Sequence, residues 1–494
     1  MTARTAIVIG GGVGGMAAAI HLARAGIAVR LLERGDTLGG KLREIRIGEA
    51  RFPAGPSVFT MKSVFEELFG GAAQLADALP LEALDPLCRH FFPDGSVLDL
   101  FPDVERTRAA IERFAGSADA RGYMAFREHA RKIHEIVRGP FMERPLAVFE
   151  LLRPSTIVQL TQIDGMRTMW KALEGFFTDP RLRQLFGRYA TYNGSSPFHA
   201  PATLSVIAHV ENAYGIFSCR GGIYRLAEAM ERLCRSLGVE IETGAEVEEI
   251  IVERDRAVGV RRRGAIERAG VVVANADVAQ VYQRLLPRTR PAKKLDEAYA
   301  KQELSSSAYV LCTVAERAPI ELAHHNVFFS RDYKLEFEEL VAQRRTPSDP
   351  TVYLCADDRV PGAVVPAQER CFFLTNAPPL DERGARLDWT REASVCKERI
   401  FASLARHGWT LRAGALVEQT PVDFAARFPG SRGALYGIAS NSKLAAFRRP
   451  QNQVAGIAGL YLAGGTVHPG AGLPMVCLSA KMAAKLALEE LDGN

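Results

Sequence analysis

The sequence predicts an α/β fold of the Rossmann type, on three observations. The apolar run Ala6-Ile7-Val8-Ile9 passes through Gly10-Gly11-Gly12-Val13-Gly14-Gly15 into Met16-Ala17-Ala18-Ala19-Ile20, the pattern of strand, tight turn and helix. A second strand, Ala28-Val29-Arg30-Leu31-Leu32, ends in Glu33, 18 residues beyond Gly15. Near the other end of the chain, Gly459-Leu460-Tyr461-Leu462-Ala463-Gly464-Gly465 repeats the strand-into-glycine pattern ahead of a helix from Met475 to Leu491, with Pro474 near its first turn.

Each observation has a physical reading. Glycines at 10, 12 and 15 let a pyrophosphate approach the backbone at the positive end of a helix. The carboxylate of Glu33 accepts both ribose hydroxyls of an adenosine and disfavours a ribose phosphate. Leu38-Gly39-Gly40-Lys41 adds a second backbone-only stretch with a cation. A long flavin dinucleotide needs that further contact and a nicotinamide does not, so the spacing favours FAD. A βαβ unit without ligand remains the bland alternative, as does a solvated surface role for Lys41.

At 494 residues the chain suits two interleaved domains with a large core, and a net charge of +5 in short basic clusters gives no support to nucleic-acid binding. Cys88, Cys219, Cys234, Cys312, Cys355, Cys371, Cys396 and Cys477 form no C-x-x-C pair. That argues for reduced thiols in a cytoplasmic setting and for no metal site. No charge-free apolar stretch is long enough to span a bilayer.

Phe52-Pro53-Ala54-Gly55-Pro56-Ser57-Val58 is a turn-rich segment whose small residues allow close approach to a flat ring system. Residues 105–235 read as mainly helical, and Val239 to Asn275 as short strands forming a hairpin that returns to a sheet. From Ser307 to about Phe424, strands such as Tyr309-Val310-Leu311 and Cys371-Phe372-Phe373-Leu374 alternate with charged helices, including Arg391 to Arg406, as a second sheet layer. The N-terminus of the last helix offers free amides that would stabilise an anionic reduced flavin.

These motifs, with Arg220-Gly221-Gly222, Asn275-Ala276-Asp277, Leu387-Asp388-Trp389-Thr390, Pro429-Gly430-Ser431 and His468-Pro469-Gly470-Ala471-Gly472, resemble the bacterial phytoene desaturase type of carotenoid desaturase over essentially the whole chain. Arg89-His90-Phe91-Phe92-Pro93-Asp94-Gly95-Ser96 and Leu98-Asp99-Leu100-Phe101 look most like the branch acting on 1-hydroxycarotenoids, the hydroxyneurosporene or methoxyneurosporene desaturases. Thr466-Val467 departs from the small pair usual there. The resemblance implies a glutathione-reductase-like FAD domain with inserted substrate layers. It divides the chain into an FAD part at 1–88, a helical substrate or membrane-facing block at 89–215, a second FAD part at 216–288, a substrate sheet layer at 289–428 and a third FAD part at 429–494. The cofactor-binding set is then Gly10, Gly12, Gly15, Glu33, Gly40, Lys41, Pro56, Ser57, Val247, Gly464, Gly470, Gly472 and Leu473.

The implied reaction removes a hydride and a proton from adjacent carbons of an acyclic carotenoid, with oxygen or a quinone reoxidising the flavin. Asp164 and Arg167, three apart and so on one face of an expected helix, are the candidate proton acceptor and its partner; the strong competing account is the polar stripe, with Lys171 and Glu174, of a half-buried helix. His468 is a possible base or a turn-shaping residue, and Arg220 a phosphate contact or a helix opener. Phe141, Leu146, Val148, Phe149, Leu151, Leu152, Ile157, Val158 and Leu160, among Arg138, Arg144 and Arg153, form either a segment dipping into a membrane surface or a core helix pair. The expected location is cytoplasmic, peripheral on the inner photosynthetic membrane. A redox-neutral isomerase, an amine or porphyrinogen oxidase, and a prenyl-binding escort protein share the architecture. The His468-Pro469-Gly470 and Phe92 to Phe101 segments point away from the oxidases, and Glu33 with the C-terminal glycines points away from the escort.

Overall fold

Along Thr5–Ile9 the side chains alternate: Ala6 and Val8 join one buried cluster, Ile7 and Ile9 another. Such a strand must be covered on both faces, as parallel sheets are. The computed structural model, which describes residues 4–144, 162–286, 290–381, 387–442 and 448–493, shows how. A five-stranded parallel sheet runs in the order Leu460–Leu462, Val271–Ala274, Thr5–Ile9, Ala28–Leu32, Glu240–Glu242. Helices Val13–Arg24, Arg225–Ser236 and Leu473–Asp492 pack on one face. A three-stranded antiparallel sheet of Glu249–Glu253, Arg256–Arg262 and Ala265–Arg268 covers the other. The first layer thus draws its strands from the start, the middle and the end of the chain.

The second sheet has seven strands in the order Ala413–Gln419, Ser307–Glu316, Gln368–Ala377, Val352–Ala356, His325–Phe328, Cys88–Phe91, Val97–Leu100. Period-two alternation again sets its faces. Tyr309, Leu311 and Phe373 pack under helix Trp389–Arg406, while Ala308, Val310 and Phe372 face the other way. Cys88–Phe91 and Val97–Leu100 correct the sequence reading, which ran the helical block from residue 89: they form a hairpin around the Asp94-Gly95 turn and extend this sheet. Helices Val104–Ala115, Ser117–Val137, Pro180–Gly187 and Val206–Tyr214 close the remaining side over an aromatic core of Phe126, Phe177 and Phe186. All eight cysteines are buried and free. Among the described residues no helix is long and apolar enough to cross a membrane.

Candidate active site

The glycines predicted at the first turn are required by sterics. A Cβ on Gly15 would stand 1.9 Å from the Gly10 carbonyl oxygen, and one on Gly40 2.9 Å from the Gly12 Cα. The two glycine loops therefore touch, joined by the Gly39 amide donating to the Gly11 carbonyl at 2.9 Å. Glu33 accepts from the Gly11 and Gly35 amides, each at 2.6 Å, which fixes its carboxylate at the mouth of this turn.

These loops form one end of a cavity of about 1170 Å³. Every residue of the predicted cofactor set lines it except Gly15, whose part is to let the first helix close on the strand. The helices starting at Val13 and Leu473 both lack a side-chain cap, and their first turns open on this cavity. Two positive helix ends thus face one space, suited to a pyrophosphate and to the electron-rich edge of a reduced ring. Lys41 is not a solvated surface lysine. It donates to the Leu435 carbonyl at 2.6 Å and lies 5.4 Å from the Phe428 ring centre. Burial lowers its pKa, opposed in part by Asp277, whose own carboxyl burial raises.

Beyond the glycines the wall changes character. Val310, Phe372 and Leu374 from the second sheet face Ile136, Val137 and Ile207 from the helices. At the junction, Ser57 Oγ meets Tyr353 OH at 2.7 Å, which in turn meets His325 Nδ1 at 2.8 Å. Arg449 ties the helical block to the C-terminal glycine loop, donating to Asn193 Oδ1 at 2.8 Å and to the Gly465 carbonyl at 3.3 Å.

The predicted helix through Asp164 and Arg167 is not there. Asp164 sits at φ +54, and the helix starts only at Met169, where Thr168 caps it through the Lys171 amide. Gly165 and the left-handed Asp164 turn the chain instead, and Met166 is 73% exposed. Asp164 receives a two-pronged bond from Arg167 at 2.9 and 2.6 Å and lies 3.2 Å from His129 Nε2. Burial raises its carboxyl pKa, but His129 and Arg167 outweigh that and hold it down at about 2. Neither Asp164 nor Arg167 lines the cavity, although Ile163, Gly165 and Met166 do.

His468 is fully buried, its Nε2 3.1 Å from the Arg144 carbonyl and its ring edge-on to Phe141 at 4.8 Å. Burial lowers its pKa to about 4. Arg220 is mostly exposed, pairs with Glu82 and lies outside the cavity wall. Phe141 and Met142 line the cavity, while Leu146 to Leu160 of the proposed membrane segment lie outside the described residues.

Sequence reasoning gave no role to Asn275, Arg43 or Arg449, all of which line the cavity. A signal for Asn275 existed: it follows Val271–Ala274 directly, at the carboxyl end of a parallel strand where open α/β sheets bind ligands. Its side-chain amide donates to the Ala463 carbonyl and its backbone amide to the Ile9 carbonyl, each at 2.7 Å, so it bridges the starts of the first and last glycine loops.

Residues 13–366 match the model of the flavin-containing amine oxidoreductases. The chain is 38% identical to a hydroxyneurosporene desaturase of Rubrivivax gelatinosus, over 99% of this chain and 94% of that one. It is 35% identical to a 4,4'-diapolycopene oxygenase of a Methylomonas species, over 98% of each. Among solved structures, an oxidoreductase from Methanosarcina mazei superposes with a TM-score of 0.65 at 14% identity, covering 97% of this chain and all of that one.

Proposed function

Since the chain belongs to the flavin-containing amine oxidoreductase family, on its carotenoid desaturase branch, we propose that it uses FAD to introduce a carbon–carbon double bond into an acyclic carotenoid with a hydroxyl or methoxyl at one end. The observation that carries this reading is the single cavity whose one end is a glycine-built nucleotide cradle and whose other end is walled by apolar side chains from a sheet and a helix layer.

Gly10, Gly12, Gly40, Glu33 and Lys41 would hold the dinucleotide half of FAD; Pro56, Ser57, Gly464, Gly470, Gly472 and Leu473 would flank its ring, and Val247 its adenosine end. When bound, FAD supplies the two-electron oxidant. The chain's own work is to lay one bond of a polyene against that ring, exclude water through Val310, Phe372 and Leu374, and receive a proton from the neighbouring carbon. In this reading the Asp164–Arg167 pair acts at the loop Ile163 to Met166, as proton acceptor with its partner or as the clamp that holds the loop against the substrate. The substrate is drawn from a membrane surface, with the chain peripheral on the inner photosynthetic membrane; Phe141 and Met142, at the start of the segment read as membrane-facing, line the cavity. Oxygen or a quinone takes the electrons onward.

The test is expression in a host that accumulates hydroxylated neurosporene derivatives. A product two hydrogens lighter with a red-shifted absorption supports the reading; an isomer of unchanged mass, or no product from flavin-loaded protein, refutes it.

A further inference from the structure

The apolar end of the cavity contains one buried ionic group that its neighbours leave unsatisfied. Arg188 opens the short helix Arg188–Asn193, is 6% exposed, and lines the cavity. Its Nη1 donates to Tyr192 OH at 3.1 Å. Its Nη2 stands 3.8 Å from Glu211, an ion-pair distance too long for a hydrogen bond. Among the described residues neither Nε nor Nη2 has a hydrogen-bond partner. Glu211, 2% exposed, spends its oxygens on the hydroxyls of Tyr189 and Tyr192. Burial, and next the Glu211 charge, push both phenols well above their ordinary pKa, so they stay donors.

Several other polar side chains of this wall are spent on the protein, whereas the Tyr333 hydroxyl and the Asn376 amide, which also line the cavity, are open to a ligand. Tyr353 serves Ser57 and His325, Thr351 serves Glu336, and Asn193 serves Arg449 and Ser440. A purely hydrocarbon ligand would leave the buried Arg188 donors without an acceptor, which is unfavourable for a charged group. A ligand with an oxygen acceptor at that point would complete the site.

We propose that Arg188, held by Tyr192 and Glu211, donates to the hydroxyl or ether oxygen of the carotenoid and selects oxygenated end groups over hydrocarbon ones. This rests on the desaturase reading and deepens it. Asn193, on the same short helix, is bonded by Arg449, which also bonds the C-terminal glycine loop, so the helix that carries Arg188 is tied to both ends of the cavity.

The test compares three acyclic carotenoids of equal polyene length, ending in a tertiary hydroxyl, its methyl ether, or a hydrocarbon. For the flavin-loaded protein kcat/KM is measured with each, and affinity by quenching of tryptophan fluorescence. The wild type is expected to favour both oxygenated compounds by ~100-fold or more, as sites built around a hydrogen bond do. Arg188→Leu is expected to collapse that ratio to within about tenfold of unity, with Arg188→Lys restoring part of it. Flavin absorption of each variant reports folding. A wild type that treats all three alike overturns the inference, as does Arg188→Leu lowering all three equally. An ether handled like the hydrocarbon also overturns it, because the site would then be an acceptor. If Arg188→Leu does not fold, Tyr192→Phe, which frees the guanidinium from its hydroxyl partner, must lower the ratio, and an unchanged ratio refutes the assignment. Absence of any desaturation sinks the functional reading, yet the three affinities still decide the role of Arg188.

Discussion

The two ends of the cavity are built by different means. The nucleotide end is made of backbone: glycine turns, uncapped helix starts and one carboxylate held by two amides. The substrate end is made of side chains that converge from a sheet strand, two helices and a turn. A backbone site tolerates little change at Gly10, Gly15 and Gly40, where an added Cβ would meet main-chain atoms, while Gly470 and Gly472 are held to glycine by positive φ. A side-chain site is adjustable, because an apolar wall with one buried cation is respecified by changing a few residues. On the proposed reading, the flavin chemistry belongs to the first end and the choice of substrate to the second.

The sharpest way to break that comparison is Gly15→Ala. The added Cβ would stand 1.9 Å from the Gly10 carbonyl, so the first turn must move, and Gly10 lines the cavity. Overpacking of this kind costs about 1–3 kcal/mol, which lowers flavin affinity by roughly ten- to hundredfold. The variant is expected to purify colourless at micromolar flavin, and one that keeps the wild-type flavin spectrum would show that the turn is not rigid.

The same contrast explains what was legible in the sequence. Gly10, Gly12, Gly15, Glu33 and Gly40 could be read because their spacing is dictated by sterics within one βαβ unit. The strands around Tyr309 and Cys371 were equally visible through their β-branched and aromatic runs. The hairpin at Asp94-Gly95 carried a turn signal that was overlooked, with Gly95 at φ +82. Asp164 and Arg167 misled because a spacing of three also occurs in a turn, and Gly165 between them was the warning. Arg188, Tyr192 and Glu211 left no trace, since nothing local distinguishes a buried cation facing a cavity from one on a surface.

Acid should separate the two ends next. Burial lowers the pKa of His90, His134, His209, His324, His325 and His407 in the substrate layers, and of His468 at the junction, but only of His21 among the helices backing the parallel sheet. A histidine near 6.5 when unfolded and lower when folded binds its proton more readily in the unfolded chain. Its contribution is complete above about pH 6.5 and is lost as pH falls toward the folded value, about 4 for His468 and His209. For the fully buried His468 alone this is on the order of 3 kcal/mol. Hydrogen exchange at pH 5 and pH 7.5 is expected to show the substrate layers loosening in acid while the strand Thr5–Ile9 stays protected; uniform loss would contradict the division.

Asp164→Asn probes the boundary with the smallest effect. Asparagine accepts the left-handed backbone at φ +54 but not the charge shared with Arg167 and His129. A carboxyl held at about 2 is a weak base, and it stands behind the cavity wall, so its removal should act through the loop that carries Ile163 and Met166. Turnover is expected to fall about three- to tenfold with flavin content intact, well short of the 10²–10⁴ that loss of a general base costs. A thousandfold loss, together with disappearance of the acid limb of the pH profile, would make Asp164 the proton acceptor after all. Unchanged turnover would remove both roles and leave the substrate end to be defined by Arg188 and the apolar wall.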